Sequence, residues 1–91
     1  MIFQYMIATE TDGRCLDENG RDQNDRVILL YSDISKSRCL EECQWTKKED
    51  VYYITGCEYN MGARTCHYHT KTVTRGNSDY GYTCWLFNEE G

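Results

Sequence analysis

The sequence contains no proline, no internal repeat and no low-complexity tract, and no apolar run in it approaches the roughly 20 residues that a bilayer crossing requires. Clustered positive charge is missing too. Lys47-Lys48 is the only adjacent basic pair, Glu49-Asp50 follows at once, and the net charge is −5. Phosphate-backbone binding needs concentrated cations, so nucleic acid is excluded as a partner. There is no Asn-x-Ser/Thr sequon, no Cys-x-x-Cys redox pair, no nucleophile elbow and no glycine-rich phosphate loop. These gaps argue against catalysis and against a bound cofactor. The apolar start, Met1-Ile2-Phe3-Gln4-Tyr5-Met6-Ile7, is too short for a secretory h-region and lacks a basic lead. Met1 is therefore not required to be the biological start.

What is present is sulfur. Six cysteines stand among 91 residues whose mean hydropathy is −0.77. Ordering each residue costs about 1–2 kcal/mol of backbone entropy, and a thin apolar core offsets that poorly. An even cysteine count in a short chain points to a disulfide framework and an oxidising compartment. The length suits one domain, with residues 1–10 as an N-terminal strand extension and 11–91 as the disulfide-rich unit.

Periodicity predicts a strand over residues 2–8 that is apolar on both faces, so that it needs burial on both sides or a partner. Ile2, Phe3, Tyr5 and Ile7 are the candidate assembly residues. Residues 17–25 are polar and turn-rich, with Asn19-Gly20 suited to a tight turn. The run Val27-Ile28-Leu29-Leu30-Tyr31 reads as a central strand. Ser35 suits a helix N-cap, with the helix following over residues 36–45. On it Cys39 and Cys43 leave one face a turn apart, too far to join each other easily, so each is expected to bond to the sheet. Strands are predicted over 52–59, 65–73 and 82–87, with a turn at Asn60-Met61-Gly62-Ala63 and a loop over 75–79. The fold class that emerges is α+β: a small antiparallel sheet, one helix packed on it, three disulfides. Six cysteines still allow 15 pairings.

Cys39-Leu40-Glu41-Glu42-Cys43 on a helix, then Thr55-Gly56-Cys57-Glu58-Tyr59, Thr65-Cys66-His67-Tyr68-His69-Thr70 and Tyr82-Thr83-Cys84-Trp85-Leu86-Phe87, together resemble the apple/PAN domain family. Gly13-Arg14-Cys15-Leu16-Asp17 also fits, so the resemblance covers residues 13–87. It implies the pairs Cys15–Cys84, Cys39–Cys66 and Cys43–Cys57, and a non-catalytic role in recognising proteins or carbohydrates outside the cell. Thirteen residues separate Cys43 from Cys57, a longer interval than blood-protein apple domains have.

Sharper motifs weigh less. Cys66-His67-Tyr68-His69 beside Cys-x3-Cys hints at zinc, but the spacing matches no usual ligand pattern, and Cys66 and His67 point to opposite faces of a strand. His67 and His69 share a face with Lys71, which reads as a solvated pair and a candidate binding surface. Asp17, Asn19, Asp22, Asn24 and Asp25 offer oxygen ligands without the spacing of a calcium loop. No metal is expected. Trp85 reads as core. Tyr80 and Tyr82, beside a glycine-containing loop, are the aromatic candidates for a binding surface. Two functions follow: a module that binds an extracellular protein or glycan, or a subunit of an extracellular filament or other homo-oligomer joined by N-terminal strand addition.

Overall fold

The hairpin around residues 60–65 sets the register of the sheet. In the computed structural model, which describes residues 7–22, 27–48 and 54–88, the Asn60 Oδ1 accepts from the backbone N–H groups of Gly62 and Ala63, both at 3.1 Å. That side chain closes the turn between β4 (Gly56–Asn60) and β5 (Thr65–His69) and pairs Cys57 with Tyr68 and Tyr59 with Cys66. The remaining strands are β1 (Ile7–Asp12), β2 (Cys15–Leu16), β3 (Val27–Ser32), β6 (Arg75–Gly76) and β7 (Tyr82–Asn88). Five of them form one antiparallel sheet in the order β1-β7-β4-β5-β3, and β2 with β6 makes a separate two-stranded ribbon.

Period-two alternation gives this sheet two buried faces. One carries Cys57, Tyr59, Cys66, Tyr68 and Trp85, all at most 4 % exposed, and receives α1 (Lys36–Lys48). The Ser35 Oγ accepts from the Arg38 backbone N–H at 3.2 Å, which caps the first turn, and Arg38 pairs with Glu42 one turn on at 3.0 Å. Two bridges, Cys39–Cys66 and Cys43–Cys57, tie the helix to the central strands. The opposite face carries Glu58, His67, His69 and Cys84. The ribbon covers it, fastened by Cys15–Cys84. The fold is thus α+β with one helix on a small antiparallel sheet and three disulfides. Gly76 is obligatory in the ribbon, because a Cβ there would collide with the Asp12 carbonyl and the Thr11 hydroxyl.

Several elements differ from the sequence reading. The described strand at the N-terminal edge is Ile7–Asp12, and residues 1–6 lie outside the described residues. The run beginning at Val27 is an edge strand, not a central one, with β5 as its only partner among the described residues. An apolar run signals burial on both faces but says nothing about the strand's own edges. β4 starts at Gly56 and β5 stops at His69, shorter than expected. Before β4 begins, Thr55 still bonds through its backbone to His69 and Phe87, and its hydroxyl donates to the His69 and Lys71 carbonyls. Residues 75–76, expected in a loop, pair with Cys15 and Leu16.

Candidate functional site

The space between sheet and ribbon holds the only cluster of buried ionisable groups among the described residues. Glu58 on β4 faces His67 on β5 across the ladder, and His69 follows two residues on, on the same face. The ribbon's first residue closes this cluster: the Cys15 backbone N–H donates to the Glu58 Oε1 at 2.8 Å, and the same oxygen lies 3.2 Å from the His69 Nε2. A carboxylate only accepts, so Nε2 carries a proton and donates it to Glu58. The His69 Nδ1 has no hydrogen-bond partner.

Arg14 borders the cluster. Its guanidinium sits 4.8 Å from the Tyr82 ring centroid and pairs with Asp22 at 3.1 Å, while Asn60 donates to the Tyr82 hydroxyl at 3.3 Å. A cation over a tyrosine face is a favourable, oriented contact. It occupies one face of the ring.

Burial holds the His67 imidazole below its ordinary value of 6.5; His69 and Arg14 add repulsion, and Glu58 partly opposes them. The folded state therefore takes up a proton at His67 less readily than the unfolded chain. That contribution to stability is intact above pH 6.5 and is lost as the pH falls below it toward the lower folded-state value. Thermal melts between pH 7.5 and 5 are expected to show a falling midpoint, with the fall reduced in a His67→Gln variant. Equal slopes in both proteins would remove His67 as the cause.

The histidines are thus not a solvated pair. His69 is 0 % exposed and His67 is partly buried, because the ribbon covers the face that alternation alone assigns to water. Tyr82 is engaged by Arg14. Of the four expected binding residues only Tyr80, 87 % exposed, projects freely into solvent. Ile2, Phe3 and Tyr5 lie outside the described residues, and Ile7 opens β1.

Metal chemistry does not fit this cluster. Ligand atoms of Cys15, Glu58 and His69 come within 4.8 Å of one another, but the Cys15 sulfur is bonded to Cys84 and offers no thiolate. Cys39, Cys43 and Cys66 are likewise in disulfides. In the acidic turn, the Asp17 Oδ1 accepts from the Asn19 and Arg21 backbone, which folds a polar loop, and Asp22 is paired with Arg14; Asn24 and Asp25 lie outside the described residues.

A second feature lies at the sheet's edge. β3 carries no charged residue between Val27 and Ser32, its outer edge has no strand partner among the described residues, and Leu29 and Tyr31 are 54 % and 43 % exposed. Natural proteins usually blunt such an edge with charge, and here only the irregularity between Leu29 and Tyr31 interrupts it. The other edge strand, β1, carries Glu10 and Asp12. Glu10 accepts from the Trp85 indole at 3.0 Å and meets the Lys36 ammonium at 3.3 Å. Among the described residues no helix is long and apolar enough to cross a membrane. No protein family, curated protein or solved structure matches the chain.

Proposed function

We propose that this chain is an apple/PAN-like extracellular module that acts by binding, without catalysis or a cofactor, and that its ligand is a protein segment added as a strand to β3. The open, charge-free β3 edge with exposed Leu29 and Tyr31 carries this reading. Strand addition takes affinity from main-chain hydrogen bonds and selectivity from alternate side chains. Three buried disulfides support an oxidising, extracellular setting, since cytosolic thiols are kept reduced. The glycan alternative loses support, because Tyr82, His67 and His69 are engaged or covered. Titrating the isotopically labelled protein with an uncharged hexapeptide rich in valine and threonine is expected to shift the amides of β3. Shifts centred on Tyr80 instead would reject this site.

Self-assembly is the second reading. It is favoured by the charge-free apolar stretch of residues 1–9, which runs into β1 at the opposite edge of the same sheet. Under this reading the mass of the intact chain grows with concentration.

A further inference from the structure

We infer that the β3 edge is the acceptor for residues 1–6 of a second copy, so that successive copies join head to tail through one continued sheet. This deepens the self-assembly reading and rests on it. The occupant is argued from charge and reach. In a chain with 25 charged residues, residues 1–9 and 27–32 both carry none, and both are rich in strand-forming side chains. Donor and acceptor are thus matched in character, and pairing them brings no like charges together.

They also stand where one copy cannot join them. Residue 7 begins β1, and β3 lies at the far side of β7, β4 and β5. Four strand spacings separate the two edges by about 19 Å. Six residues fully extended span about 20 Å, so the crossing alone would use them up and leave none to pair. A second copy meets no such limit. Its residues 1–6 can lie along β3 while its own β1 stays paired with β7.

The contact is heterologous: one edge of each copy meets the other edge of the next, and such contacts give rings or open filaments according to whether the rotation closes. Pairing of two β1 edges is disfavoured by the carboxylates of Glu10 and Asp12 on each copy.

Two variants test the assignment. Deleting residues 1–6 removes the donor and keeps the acceptor. Leu29→Lys with Tyr31→Lys charges the acceptor at two exposed positions and keeps the donor, and circular dichroism checks that both variants stay folded. Each alone is expected to sediment as a monomer at concentrations where the intact chain polymerises, and an equimolar mixture is expected to polymerise no further, because the deleted chain's β3 takes the lysine variant's residues 1–6 to give a two-chain species. If the lysine variant still polymerises while the deletion does not, the acceptor lies elsewhere and only this inference falls. A dimer that survives deletion of residues 1–6 points to β3 pairing with itself and overturns it as well. An intact chain that stays monomeric over the whole concentration range overturns both the inference and the assembly reading.

Discussion

Replacing Cys15 and Cys84 together by alanine is expected to lower the unfolding free energy by about 4 kcal/mol, the largest loss for any of the three bridges. The ranking follows from the loops they close. Cys15–Cys84 spans 69 residues, Cys39–Cys66 spans 27 and Cys43–Cys57 spans 14. Restricting the unfolded chain scales with the logarithm of loop length, which gives about 3.6 kcal/mol for the second pair and about 3 kcal/mol for the third. Small domains have about 5–15 kcal/mol to lose, so removal of the outer bridge takes a large share. Urea unfolding of the three double variants under non-reducing conditions reads the order directly. A greater loss at Cys43–Cys57 would mean that clamping the helix, not shortening the unfolded chain, dominates.

Glu58→Ala is expected to destabilise by about 2–6 kcal/mol, from about 1–3 kcal/mol for each of two buried donors left without an acceptor. The substitution strands two groups at once: the Cys15 backbone N–H and the His69 Nε2 both lose their acceptor in a site that water does not reach. Glu58→Gln keeps a carbonyl oxygen for both donors and is expected to cost clearly less. Denaturant melts of the two variants side by side separate the lost hydrogen bonds from the lost charge. Equal losses would place the effect in charge alone. A negligible loss for alanine would show that water enters beneath the ribbon and replaces the carboxylate.

The helix, its Ser35 cap and the strands of the second half are legible from the sequence because each rests on a local signal: an N-cap oxygen, a four-residue cysteine spacing, an alternation. The Asn60 turn is legible in the same way, to within one residue. A turn over residues 60–63, as the sequence suggests, would put Glu58 opposite Thr65. The observed turn lies one residue later, over 61–64, and it is this register that sets Glu58 opposite His67 and makes the acid–imidazole cluster. The ribbon hid it further. Its strands are two residues each, too short to show a period, and residues 15–16 and 75–76 meet only through tertiary folding. Without that cover, the face bearing His67 and His69 reads as solvated. The place of β3 at an edge was hidden for a related reason: hydrophobicity does not report the pairing of backbone, and in this run Leu29 and Tyr31 stay exposed despite it.

The register of β1 on β7 sets Ile7 beside Asn88, so the strands leading to the two ends of the fold leave it side by side. Force applied through those strands would peel them apart rung by rung rather than shear them, the gentlest way to open a ladder. The Cys15–Cys84 bridge stops that peeling early, because everything between the two cysteines lies inside a covalent loop. Only residues 7–14 and 85–88 can be drawn out, a slack on the order of 4 nm, before the load passes through sulfur and bypasses the rest of the domain. Under tension the molecule is therefore compliant at its margin and inextensible at its centre.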